Sequence, residues 1–190
     1  MIATLLLTVL LVLAIGYAVG IYNGLVRARA EVKLCWSNID VLLVQRHDEL
    51  PKLVETCKQY LQYEQQTLER VMQARSAVAA ARSSGNVAAL GAAESGMRSG
   101  LAGLFAVAEK YPDLKANEAF QHLQQRISGL EQAIADRREI YNEAVNINNV
   151  RVTAFPDVLV ATRYDFQTAQ FLKFDAVQKT DIDMKAQFAH

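Results

Sequence analysis

Charge is missing from the start of the chain. No Asp, Glu, Lys or Arg occurs between Ile2 and Ile21, a run reading IATLLLTVLLVLAIGYAVGI. Proline is scarce, with three in 190 residues, and cysteine scarcer, with two. Few prolines leave long helices uninterrupted. Cys35 and Cys57 have neither C-x-x-C nor metal-ligand spacing, which speaks against a thiol metal site. Two thiols at apolar helix positions read as small core residues in a reducing compartment. A bridge between them requires the two segments to lie side by side. An excess of one charge is also absent, because twenty basic residues cancel twenty acidic ones. Nucleic-acid binding depends on clustered positive charge, so a neutral chain excludes it as the main partner. No alternating β-rich stretch occurs, so the Asn23-Gly24 pair is not flanked by strand-like runs and is no hairpin signal, while Ala, Leu, Gln, Glu and Arg, all good helix formers, recur throughout.

The motifs of catalysis are missing too. There is no H-E-x-x-H, P-loop, G-x-S-x-G or EF-hand loop, and no Glu-x-x-His pair of the kind that builds a di-iron bundle. The three histidines are His47, His122 and His190. His47-Asp48-Glu49 is a cluster in sequence only, since consecutive helix residues point to different faces and do not converge on one ion. The expectation is a non-enzymatic protein without cofactor or metal.

What is present begins with the uncharged run itself. At about 1.5 Å per residue it spans roughly 30 Å, the hydrocarbon thickness of a bilayer. A cleaved secretory signal needs a basic n-region and a shorter apolar core. A lipoprotein signal needs a Cys directly after the run, and the first is Cys35. The run therefore reads as an uncleaved anchor over residues 1–22. Arg27, Arg29 and Lys33 follow it and no basic side chain precedes it. This bias predicts an outside N-terminus and a cytoplasmic domain at the bacterial inner membrane. Tyr17 and Tyr22 sit near the exit end, where aromatic rings favour the interface. Within the anchor, Gly16, Gly20 and Gly24 are spaced four apart. Such small-residue ridges let two helices approach closely in lipid, so these three glycines are the candidate oligomerisation site.

Beyond the anchor, apolar residues recur at steps of three and four: Val32, Trp36, Ile39, Leu43, then Leu50, Leu53, Cys57 and Tyr60, with Leu68, Val71 and Val78 further on. This is the one-face pattern of a bundle helix. Arg46 and Glu64 fall on the same seam, where a charge must either reach the rim or find a partner on a neighbouring helix. Pro51 leaves two readings open: one long helix kinked at Leu50-Pro51, or a turn at Asp48-Glu49-Leu50 with Pro51 in the first turn of a second helix. Ser83-Ser84-Gly85-Asn86 is a turn signal. Five of the nine glycines, at 85, 91, 96, 100 and 103, fall within residues 83–103. The helix expected there, to about Ala108, is either a flexible contact surface or a helix made small for close packing. Tyr111-Pro112-Asp113 starts the next helix, with Asp113 as its cap. Its stripe runs through Phe120, Leu123, Ile127, Leu130, Ile134, Tyr141, Val145, Val152 and Phe155, ending at Phe155-Pro156. A last helix begins at Val158 to Ala161, and Phe166, Phe171 and Phe174 are expected to give it an exposed, partner-binding face. One polar spot stands out on the long stripe. Asn142 and Asn148 lie in a carboxamide-rich segment, and Asn148 falls between Val145 and Val152. A buried Asn must bond to something. It either sets register or binds a partner, or it marks a helix end opening to water.

Several segments match a known family in order: Tyr22-Asn23-Gly24-Leu25-Val26, Cys35-Trp36-Ser37-Asn38-Ile39-Asp40-Val41, the run Arg46 to Thr56, Tyr111 to Asn117, Arg138 to Asn142, and Phe155-Pro156. Over residues 1 to 172 the chain resembles the LemA family of bacterial membrane-anchored helical proteins. The resemblance implies an up-and-down four-helix bundle behind the membrane helix and inclines the Pro51 question slightly toward a break. It brings no catalytic or cofactor site. Its functional hints, a relative that helps build magnetosome membranes and members encoded beside a membrane protease, point to membrane organisation or envelope stress. The family usually has Tyr where this chain has Asn148, and Asn where it has Lys52.

The reading is an all-α protein: an antiparallel up-and-down four-helix bundle preceded by one transmembrane helix. The expected organisation is an anchor at 1–22, a bundle at 23–172 and a polar tail at 173–190. The expected function is a homo-oligomeric scaffold organising or shaping the membrane, in contact with membrane lipid. The alternative is an adaptor for a membrane-protein partner such as a protease or sensor.

Overall fold

A computed structural model describes residues 1–173. Six helices appear in order: α1 (Ile2–Lys58), α2 (Gln65–Ser83), α3 (Val87–Ala108), the single-turn α4 (Pro112–Lys115), α5 (Glu118–Thr153) and α6 (Asp157–Arg163). No strand occurs among the described residues. The architecture is the expected all-α helical bundle behind an apolar N-terminal helix. Two compact units form. One joins Met1–Arg46 to Arg126–Phe171, and the other joins His47–Gln125 to Leu172 and Lys173. Helices α1 and α5 contribute to both.

In the first unit α1 and α5 run antiparallel. Positions fall on α1 as they rise on α5: Arg46 pairs with Glu131, Trp36 stacks on Tyr141, and Leu25 packs with Val152. The buried residues on α1 (Ile21, Leu25, Ala28, Cys35, Ile39) and on α5 (Ile127, Ile134, Tyr141, Val145, Asn148, Val152) keep alternating steps of three and four or their multiples. That is the heptad rhythm of helices packed nearly in line. Each fully buried Leu or Ile contributes about 1.5–3 kcal/mol, well above the few tenths that separate helix propensities. Packing therefore sets these helices.

The inclination toward a break at Pro51 is corrected here. α1 passes through Pro51 and ends only at Lys58. The proline cannot donate to the carbonyl four residues back, that of His47. Arg75 from α2 supplies the missing donor, its Nε lying 2.9 Å from the His47 oxygen. With that carbonyl satisfied, and Leu50, Leu53 and Val54 buried around the proline, continuing the helix costs less than unpacking it. The chain turns instead at residues 59–64, and Glu64 lies in that connection rather than on a helical seam.

The second unit holds the α2–α3 hairpin. It turns where Ser83 to Asn86 predicted. Gly85 takes φ +65°, a left-handed value that suits glycine. Asn86 caps α3 by accepting the Ala89 N–H at 2.9 Å. Of the two readings of the glycine-rich helix, close packing holds at two positions. A methyl group on Gly100 would touch Val71, and one on Gly91 would collide with the backbone carbonyl of Lys173. The expected Asp113 cap is also corrected. Tyr111 occupies the N-cap position of the short α4 without a side-chain bond, and Asn117 caps the long α5 by accepting the Phe120 N–H at 3.0 Å. The Asn117 amide also donates to the Tyr60 hydroxyl at 3.1 Å.

Cys35 and Cys57 are both buried and free. They lie 22 positions apart on one continuous helix rather than on two segments side by side, the arrangement a disulfide between them requires.

Candidate functional site

The anchor is exposed from Met1 to Gly20, with none of its apolar window buried. A core helix of a soluble protein would be covered, so this stretch has the length, composition and exposure of a membrane span. Packing begins abruptly at its exit. Ile21 and Leu25 meet Val152, Ala161 and Phe166 in one apolar cluster. The Tyr22 ring stands edge-on to Tyr164 at 5.0 Å and to Phe166 at 5.7 Å between centroids, an arrangement favoured by ring quadrupoles. A collar built from the end of α5, α6 and the following residues thus grips α1 where it leaves the apolar stretch.

The three anchor glycines separate in this setting. Gly16 and Gly20 face open space. Gly24 belongs to the collar instead, because a side chain there would run into the Arg151 guanidinium. Arg151 is held by Asp157, with Nε and Nη2 both 2.8 Å from the same carboxylate oxygen.

After α6 the chain reverses. Asp165 takes φ 53°, a left-handed conformation that Asp tolerates better than most residues. The next residues lie extended along α5, fixed by side chains of that helix. The Tyr141 hydroxyl donates to the Gln170 carbonyl at 2.9 Å, and burial pushes its phenol above the usual tyrosine range. The Asn148 amide donates to the Gln167 carbonyl at 3.3 Å and to the Asn149 side chain at 3.2 Å. Asn149 both donates to the Ala169 carbonyl at 2.9 Å and accepts the Ala169 N–H at 2.7 Å. Extended backbone has no helical partners, so these side chains supply them. Asn148 is a strap anchor within the chain rather than a helix end opening to water. Asn142, one turn before Asn146, is partly buried and also bonded.

The expected phenylalanine patch does not form as drawn. Phe166 is buried in the collar and lies beyond α6. Phe171 is exposed, and Phe174 lies outside the described residues. Phe155, expected on the core stripe, is 80% exposed just past the end of α5. Sequence reasoning missed Asn149 and Arg151 as individual site residues. Asn149 was visible only as one member of the carboxamide run, and an arginine over a glycine leaves no pattern in sequence.

The strap makes a direct prediction. Asn149→Ala removes both bonds to Ala169 and leaves a partly buried N–H and C=O unpaired, at a cost of about 1–3 kcal/mol. Hydrogen exchange at the Ala169 amide should accelerate at least about tenfold, with Ile134 in the helix core unchanged. Equal protection at Ala169 would mean the strap is held by other contacts.

A cavity of about 770 Å³ lies near the α1–α2 connection against Pro51, Val54, Leu61, Leu68 and Met72. Its charged neighbours Glu55 and Lys58 pair with each other at 3.0 Å. Among the described residues no group of three His, Cys, Asp or Glu side chains comes together.

The LemA family profile matches residues 35–188, most of the chain. The chain belongs to the LemA family. Similar proteins include Magnetosome protein MamQ 2 and Magnetosome protein MamQ 1 of Paramagnetospirillum magneticum (strain ATCC 700264 / AMB-1), each 33% identical over 89 residues. The matched stretch is 47% of this chain and 32% of each relative, so this LemA-family chain covers about a third of the magnetosome proteins' length. With its apolar, unpacked N-terminal helix, this family member has the make-up of a membrane protein.

Proposed function

We propose that this protein is a non-enzymatic, single-pass scaffold of the bacterial inner membrane that self-associates to organise or shape the bilayer. The observation carrying this reading is the surface left uncovered on the first unit. Gly16 and Gly20 face open space in the anchor. Above it, Leu34 and Val41 on α1, and Ile140, Ile147 and Val150 on α5, are exposed apolar residues at helical spacing. Rows of exposed apolar residues on paired helices suit contacts with further copies. The similarity to magnetosome proteins supports a role on membranes. The packing of Ile21 and Tyr22 into the collar supports retention of the anchor, since the folded bundle uses its last turn. The basic residues Arg27, Arg29 and Lys33 after the span favour a cytoplasmic bundle and an outside N-terminus.

Gly16→Leu with Gly20→Leu should reduce crosslinked oligomers in membranes by about tenfold, the equivalent of a 1–2 kcal/mol loss of helix packing. Helical content should be unchanged. Crosslinking at the wild-type level would remove the anchor from the assembly. An adaptor reading remains the rival, with the same exposed rows meeting another membrane protein instead of a copy. It predicts a constant ratio of this chain to a second polypeptide.

A further inference from the structure

Beside the collar lies a groove of about 350 Å³ lined by the apolar or aromatic Tyr22, Val26, Tyr164 and Phe166 and by the basic Arg29 and Lys33. Arg29 and Lys33 are four residues apart on one face of α1, and like charges so placed weaken a helix by a few tenths of a kcal/mol. Both are exposed, and neither has an ion-pair partner among the described residues. The nearby acids are already engaged. Glu31 accepts from the Cys35 thiol, Asp157 holds Arg151, and Asp165 accepts from the Gln167 amide. The groove is therefore aromatic toward Tyr22 and cationic toward Lys33.

Its position selects the occupant. It opens between Tyr22, at the end of the apolar span, and Lys33, about three turns further along the same helix. That is the depth of the headgroup layer when the span lies in the hydrocarbon. A phosphate at this depth meets the guanidinium and ammonium groups, which favour anionic oxygens. The glycerol backbone meets the tyrosine rings, which suit the interface. The acyl chains continue down the uncovered anchor. We infer that this groove is a binding site for an anionic phospholipid headgroup, with Arg29 and Lys33 holding the phosphate and Tyr22 and Tyr164 flanking the glycerol. The inference rests on the membrane-anchored reading.

The test uses the full chain in phosphatidylcholine nanodiscs carrying a minor fraction of phosphatidylglycerol, at physiological salt. Lipids retained after detergent release are counted by native mass spectrometry. Wild type should retain phosphatidylglycerol in preference to phosphatidylcholine. Arg29→Gln and Lys33→Gln should each reduce that preference about fivefold, and the double variant about thirtyfold. Arg27→Gln, which removes an equally exposed charge just outside the groove, should change it less than about twofold, since general attraction is screened at this salt. Circular dichroism checks that helicity is preserved. Equal losses for Arg27→Gln and Arg29→Gln would overturn the site in favour of general surface charge. Displacement of the lipid by millimolar inorganic phosphate would overturn its assignment to a lipid. Absence of the protein from the discs altogether would instead defeat the anchor, and the site with it.

Discussion

Replacing Glu131 by Leu is expected to lower the unfolding free energy by about 3–5 kcal/mol. Arg46 lies on the core seam of α1 with only 1% of its side chain exposed, and Glu131 on α5 pairs with it at 20% exposure. A guanidinium does not shed its charge to escape burial. Losing the carboxylate opposite it removes one of the groups that compensate a charge water cannot reach. Arg46→Met should cost somewhat less, because the surviving carboxylate is partly solvated. Combining Arg46→Met with Glu131→Leu should recover most of the loss, since an apolar pair of similar volume often equals or exceeds a buried ion pair. Denaturant unfolding of the full chain in micelles measures all three. A double variant as unstable as the sum of the singles would show that the two residues act independently.

The second large effect concerns Cys57. Its thiol is fully buried, and burial pushes its pKa from 9.0 up to about 12. The thiolate is the reactive form, so at pH 8 it is about a thousandfold rarer in the folded protein than in the unfolded chain. Alkylation by iodoacetamide should slow by at least that factor, access being restricted as well. Cys35, raised more modestly by burial and by the neighbouring Glu31, should react first. The same shift has a consequence for stability. A thiol whose pKa is raised on folding contributes fully below the unfolded value, near 9. It loses that contribution as pH climbs from there toward 12. Unfolding titrations between pH 8 and 11 should show stability falling, and Cys57→Ala should flatten that slope. Rapid alkylation of Cys57 under native conditions would mean that the end of α1 opens readily.

These residues also show what the sequence makes legible. The three-and-four spacing identifies the core faces of α1 and α5 because burial in a helix pair leaves that periodicity in the residues themselves. Arg46 is recognisable as a problem, a charge on an apolar seam, and the structure supplies its partner 85 positions away. The turn at Ser83–Asn86 is legible because its conformation demands particular residues. The continuity of α1 through Pro51 is not legible. It depends on Arg75 arriving from another helix to bond the His47 carbonyl, and local rules see only the missing donor. The phenylalanines mislead for a related reason. An aromatic near a chain's end reads equally as surface or core until the reversal at Asp165 places Phe166 beneath Tyr22. Asn148 and Asn149 announce a polar requirement, but their partners are backbone groups of an extended segment, and backbone carries no sequence signal.

A membrane-anchored bundle whose Gly16, Gly20 and helix rows are uncovered should not remain single in the bilayer. The most direct measurement is the mass of the full-length protein extracted into lipid nanodiscs without any added partner. The account predicts a uniform particle holding several copies of the 21.1 kDa chain. A single copy, or a fixed complex with a different polypeptide, would contradict it.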